Sequence, residues 1–221
     1  KGDNRIMLNM GGISNFTYLP ASSNPEEVFV TDTGTGNTLI DAFTKLYFPN
    51  KSYDKDAEIA KKGIVNKVLL TSLKSDDFFT KPFPKTTGPE LFSVEYVTKA
   101  QAVSNTQNIS IPDLLATLTR FSAETIAEAI HTAISNTIYT VENFTIYMSG
   151  GGAHNPLLAE WLKELLPCQF STTDTLGISG DAKEAILFAI LANETVSGGT
   201  SDFGIRKGIP SVSMGKISFP N

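Results

Sequence analysis

Three glycine clusters, each placed directly after a β-like run, constrain the fold of this sequence more than any other feature. They are Asn9-Met10-Gly11-Gly12, Asp32-Thr33-Gly34-Thr35-Gly36-Asn37 and Gly150-Gly151-Gly152-Ala153-His154-Asn155. Ile6-Met7-Leu8 runs into the first, and Ile13 to Leu19 follows it, so strand, glycine turn and strand are expected. Val28-Phe29-Val30 is read as a short strand ending at Asp32, and Thr33 to Gly36 as a glycine loop. Asn37 is then placed to cap a helix carrying Leu39, Ile40, Phe43 and Leu46 at helical spacing. Phe144 to Met148 is β-rich and opens into the third cluster, after which Asn155-Pro156 has the cap-then-proline signature of a helix start.

Between these landmarks the pattern is mostly helical. Asp54 to Lys62 and Asn66 to Lys74 are expected as two helices separated by Gly63. Phe78 to Phe92, with Pro82, Pro84 and Pro89, is expected as an ordered loop. Ser110, with Asp113 three residues on, caps the clearest helix, whose apolar side is Leu114, Leu118, Phe121, Ile126, Ile130 and Ile134. A strand near Gln169-Phe170 precedes a last helix from Asp181 through Ala192, and the glycine- and serine-rich tail after Thr195 is expected to loop over the surface. Strands alternating with long helices argue for a layered α/β fold with a mixed sheet. No internal repeat or Pro/Gly-rich linker divides residues 1–221, so a single domain is expected.

Composition excludes several partners. A net charge of −5 gives no electrostatic basis for binding nucleic acid or an anionic membrane surface. No apolar run approaches the roughly 20 residues needed to span a bilayer. The lone Cys168 forms no internal disulfide, which suits a reducing cytoplasm. With only His131 and His154 present, a zinc site lacks ligands, so His154 reads as a hydrogen-bonding loop histidine.

Glycine lets backbone amides approach a phosphate or an adenine closely, and a helix start adds partial positive charge. The second and third clusters open into helices, so both suit an anionic ligand; the bland alternative is that they are only turns. None fits the phosphate-binding GxxxxGK[ST] pattern or the dinucleotide GxGxxG pattern.

The same segments resemble those of the anhydro-N-acetylmuramic acid kinase family. Asn9-Met10-Gly11-Gly12-Ile13-Ser14-Asn15 is similar to its second phosphate-binding hairpin. Asp32 to Asn37, followed by Leu39-Ile40-Asp41-Ala42, resembles its catalytic Asp-Thr-Gly-Pro-Gly-Asn segment. Tyr53 to Asp56, Pro84 to Phe92, Gly150 to Pro156, Thr172 to Asp174, and Gly180 to Ala185 resemble its later stretches, in order. Thr35 stands where the family usually has proline, and Pro89 where it has a basic residue. Ile209 to Gly215 is only loosely similar to the family's ending.

The resemblance implies one ribonuclease-H-like lobe, a mixed sheet with flanking helices, of an actin-like ATPase fold, with ATP in the cleft between two lobes. It implies that this chain is the second lobe and that the first, with its own glycine-rich phosphate loop, is missing. The implied reaction opens the anhydro ring of 1,6-anhydro-N-acetylmuramic acid with water and phosphorylates O6, in peptidoglycan recycling. Asp32 would be the general base. Glu184, Asn37 and Gly34 would meet the sugar, although Glu184 with Asp181 also has the spacing of a helix capping box. Asn9, Gly11, Gly12 and Asn15 would meet the phosphates and Mg²⁺, and Gly150, Gly151, Gly152 and Asn155 the adenosine. A homodimer is a further expectation. Two alternatives stay open: a non-catalytic nucleotide-binding or regulatory lobe, and another sugar kinase of the same class.

Overall fold

Period-2 alternation gives strand β1, Asn4–Met10, two distinct faces: Ile6, Leu8 and Met10 are buried, while Arg5, Met7 and Asn9 are only partly covered. The computed structural model describes residues 2–135, 137–180 and 182–198, together with Val212, Gly215, Ile217 and Ser218. β2 (Ile13–Leu19) and β3 (Phe29–Thr35) extend β1 on one side as antiparallel strands. β4 (Phe144–Ser149) and β5 (Gln169–Thr172) extend it on the other side in parallel. The order β3-β2-β1-β4-β5, an antiparallel meander joined to two parallel strands, is the ribonuclease-H-like mixed sheet.

Helix α1 (Thr38–Tyr47) follows β3 and stops before Pro49, which disfavours helical backbone at Phe48. In α2 (Lys67–Leu73) the Asn66 side chain accepts the Leu69 amide at 3.0 Å. α3 (Val94–Ser104) is capped by Ser93 and ends at Asn105 in the left-handed region, φ 54°. α4 (Ile111–Ile134) starts as its sequence predicts, Ser110 Oγ accepting the Asp113 amide at 3.2 Å. In α5 (Pro156–Leu165), Asn155 Oδ1 accepts the amides of Leu157 and Leu158, both at 3.1 Å. α6 runs from Lys183 to Ser197, past the expected end at Ala192 and into the stretch expected as tail. Asp181, expected to open α6, and most of the tail lie outside the described residues.

Two apolar clusters form the core. In the first, the even face of β1 packs with Phe16, Ile146 and Met148 against Ile126 and Ile130 of α4 and Leu158 and Leu162 of α5. In the second, Leu39 and Phe43 of α1 pack with Leu69, Leu73, Phe78 and Phe92 against Leu114, Leu118 and Phe121 of α4. Each fully buried Leu or Phe contributes about 1.5–3 kcal/mol. α4 belongs to both clusters. Among the described residues no helix is long and apolar enough to cross a membrane.

Three expectations change. Asp54 to Lys62 is not a helix but two short 3₁₀ turns, Lys55–Ala57 and Ala60–Lys62. The buried Asp54 carboxylate accepts the amides of Ile59 and Ala60, both at 2.9 Å, and Asp56 has φ 53°, so a regular helix is interrupted. α3 is not expected from the sequence, because its weak amphipathic pattern hides the Ser93 cap. Finally, β3 continues through Thr35, so Asp32 lies inside a strand and not at its end.

Thr35, in the position where the resembling family has proline, is buried, and its hydroxyl has no hydrogen-bond partner among the described residues. Thr35→Val keeps the shape and removes that unmet group, so it is expected to stabilise the chain by about 1 kcal/mol in urea denaturation.

Candidate active site

The three glycine clusters meet at the C-terminal edge of β1. The Gly12 carbonyl accepts the amides of Gly36 at 2.7 Å and Thr38 at 3.2 Å, and the Gly11 carbonyl accepts that of Asn37 at 2.9 Å. The Asn37 side chain makes no cap bond; its Nδ2 donates to the Met10 carbonyl at 3.4 Å. The β1–β2 hairpin therefore holds the start of α1, a job the sequence assigns to Asn37. A Cβ on Gly36 would stand 2.3 Å from the Gly11 carbonyl oxygen. Gly150, at φ 82°, and Gly152 pack as closely on Met10, where a Cβ would come within 2.8 and 2.7 Å.

The expectation that both helix starts offer amides to an anion is corrected for α5, whose opening amides are spent on Asn155 Oδ1, and in part for α1, whose Asn37 and Thr38 amides go to hairpin carbonyls.

On the partly open face of the sheet the same edge carries a polar row. Asp32 pairs with Asn15, Asn15 with Asn9, and Asn9 with Ser149. Residues directly opposite on neighbouring strands share a face, so a carboxylate, two carboxamides and a hydroxyl stand side by side. Lys183 of α6 reaches this row, its Nζ donating to Asn9 Oδ1 and to Ser149 Oγ, both at 2.9 Å. Asn15, a neutral oxygen of the row that Lys183 does not occupy, suits a Mg²⁺ ion that keeps most of its water and phosphate ligands.

Asp32 is held by a loop whose role the sequence leaves open. Its amide donates to the Lys85 carbonyl at 2.9 Å, and its Oδ2 accepts the Thr87 amide at 2.8 Å. Lys85 anchors that loop from beneath. Its Nζ donates to the carbonyls of Phe78 at 2.9 Å and Phe79 at 3.2 Å and sits 4.4 Å from the centre of the Phe78 ring. Burial, and secondarily Lys81, pushes its ammonium pKa down. The contacts on Asp32 come from the main chain of Lys85 and Thr87, so the departure at Pro89 leaves them in place.

Beside the row, a cleft of about 370 Å³ opens between α1, the turn at Tyr53 to Asp56, and the third glycine cluster. Asn37, Asp41, Tyr53, Gly151, His154 and Asn155 are among its walls. Burial raises the Asp41 carboxyl to about 6, with Lys45 opposing weakly. Of the remaining predicted residues, Gly34 is buried with its Cα turned to Phe79 and Thr125, away from the row. Glu184 is exposed in the first turn of α6, next to Lys183. Lys183, Lys85 and the cleft-lining Asp41 are not among the predicted site residues, although Asp41 and Lys85 lie in segments that carry the family resemblance and Lys183 is a cation in a helix's first turn.

Compared with known proteins, residues 1–213 match the anhydro-N-acetylmuramic acid kinase family. The chain belongs to this family. A relative in Pseudoalteromonas atlantica named anhydro-N-acetylmuramic acid kinase is 51% identical over 224 residues, covering 100% of this chain and 55% of the relative. One of the same name in Clostridioides difficile is 39% identical over 204 residues, 91% of this chain and 51% of the relative. The chain thus spans about half the length of the curated anhydro-N-acetylmuramic acid kinases it matches. Among solved structures, the activator of the 2-hydroxyisocaproyl-CoA dehydratase from Clostridium difficile with bound ADPNP is 16% identical, at a TM-score of 0.44 over 89% of this chain and 65% of that one.

Two outcomes follow for this family member. Gly36→Ala forces a methyl into the Gly11 carbonyl and is expected to cost at least about 2 kcal/mol in urea denaturation. Asp41 is an acid whose pKa rises on folding from 3.8 to about 6. The stability linked to its neutral form is therefore complete below pH ~4 and lost as pH climbs through about 6. Asp41→Asn should gain about 1 kcal/mol at pH 8, after allowance for partial exposure, and nothing near pH ~3.5; melting curves at the two pH values check this.

Proposed function

We propose that this chain is the second lobe of an ATP-dependent kinase that phosphorylates 1,6-anhydro-N-acetylmuramic acid at O6 while water opens the anhydro ring. The observation that carries this reading is the polar row itself: a clamped carboxylate, Asp32, standing beside Asn15 and Asn9 at the edge where three glycine loops interlock. A nucleotide would lie with its phosphates along the Gly11-Gly12 hairpin and its adenosine against Gly150 to Gly152 and the cleft bounded by Asn155.

In this reading Asp32 takes a proton from the water that attacks C1. The C1–O6 bond breaks as the new C1–O bond forms, and O6 then displaces ADP from the γ-phosphate. The Thr87 amide fixes one oxygen of Asp32, so the base is oriented before substrate arrives. Asn15 would help hold Mg²⁺, which when bound offsets the negative charge of the phosphates. Asn37 and Glu184 would face the sugar. The product is N-acetylmuramic acid 6-phosphate, a step in peptidoglycan recycling, and the single Cys168, its thiol pushed up to about 11 by burial, suits a reducing cytoplasm.

The first lobe is supplied by the rest of a longer polypeptide. Supporting this, Leu187, Phe188 and Ile190 on α6 are 52–67% exposed, large apolar side chains that a missing layer would cover. The 221-residue chain on its own is expected to give no phosphorylation of the anhydrosugar. In the protein completed by the other half, Asp32→Asn should lower kcat by about 10²–10⁴-fold with ADP affinity unchanged. Turnover within twofold of wild type in that variant would remove Asp32 as the base.

A further inference from the structure

We propose that Lys183 is the oxyanion-binding cation of this site, its ammonium taking a non-bridging phosphate oxygen of the nucleotide or, failing that, the carboxylate of the sugar. The inference rests on the nucleotide-site reading above and adds to it a residue which that reading does not use.

The position of Lys183 is unfavourable for a cation in three respects. It lies in the first turn of α6, a 15-residue helix whose dipole disfavours positive charge there. It is partly buried, and burial lowers its pKa against a weaker pull from Glu184. Its two hydrogen bonds go to neutral acceptors, Asn9 Oδ1 and Ser149 Oγ, and among the described residues no carboxylate forms an ion pair with it. An anion beside Nζ would offset all three costs.

Location points to the same ligand. Asn9 lies two residues before the Gly11-Gly12 turn, and Ser149 immediately precedes the third cluster. One ammonium group therefore ties together the roots of the two loops that frame the nucleotide. A second, independent sign lies next to it. Thr173 follows the end of β5 beside Ser149, is 4% exposed, and its hydroxyl has no hydrogen-bond partner among the described residues. Both Thr173 and Ser149 flank Gly180, where a Cβ would lie 3.5 Å from Thr173 Oγ1 and 3.9 Å from Ser149 Cβ. An unmet buried hydroxyl and an uncompensated cation that both border Ser149 describe a place where ligand oxygen belongs.

Isothermal titration of the protein completed by its other half, with ADP, tripolyphosphate, adenosine and N-acetylmuramic acid, tests this, using Lys183→Met and Lys183→Arg. The expected result is that Lys183→Met weakens ADP and tripolyphosphate by about tenfold or more, leaves adenosine unchanged, and is largely restored by Lys183→Arg. The unchanged adenosine affinity shows that the variant is folded, and a merely structural lysine would not separate adenosine from ADP. Tenfold loss for N-acetylmuramic acid with ADP unaffected keeps Lys183 as the oxyanion cation and assigns the oxygen to the sugar. Equal binding of all four ligands by Lys183→Met and wild type overturns the proposal while leaving the nucleotide site standing. If wild type binds neither ADP nor adenosine, the nucleotide reading itself falls, and Lys183 with it.

Discussion

The amides of Gly36, Asn37 and Thr38 donating into the carbonyls of Gly11 and Gly12 are the interaction on which the rest of this structure depends. Hairpin turns normally leave their carbonyls to water, and helix starts normally borrow a side-chain cap. Here each supplies what the other lacks. The pairing is possible only because Gly36 has no Cβ to strike the hairpin, and it seats β3 against β2 in the register that brings Asp32 opposite Asn15. The Gly150 loop then packs on Met10 from the other side. Glycine serves in all three loops as the residue that lets main chain touch main chain.

How much of this the sequence discloses depends on the range of each interaction. Local signals were legible: Asn155-Pro156 opens α5, Ser110 caps α4, and the alternation of β1 and β2 survives intact. The motif resemblance extended across most of the chain and named the family. Where a distant group competes with a local one, the reading failed. Asn37 looks like a cap, but hairpin residues some 25 positions away in the chain take that role. Asp54 to Lys62 has helical periodicity, yet the Asp54 carboxylate captures two amides and bends the segment away from it.

The site divides in the same way. Asp32 and the glycines carry a signature because the backbone geometry around them demands particular residue types. Lys85 and Lys183 carry almost none, because a lysine's role is decided by what its long side chain reaches. Lys85 crosses to the carbonyls of Phe78 and Phe79, and Lys183 reaches back to a residue 174 positions earlier. Lys85 is buried and Lys183 half-buried, both bonded to neutral oxygen, but their settings differ. Lys85 is enclosed by aromatic rings that satisfy it in place, whereas Lys183 stands at the margin of a polar row.

α4 is a rod of about 36 Å, and it contributes side chains to both apolar clusters. At its middle, Ser122 Oγ donates to the Gly36 carbonyl at 2.8 Å, so the interlocked loops hang from the point where the clusters join. Neither cluster can loosen without losing half the length of the same helix. The two clusters are therefore coupled through one helix, with the interlocked loops fastened at its centre and away from its fraying ends.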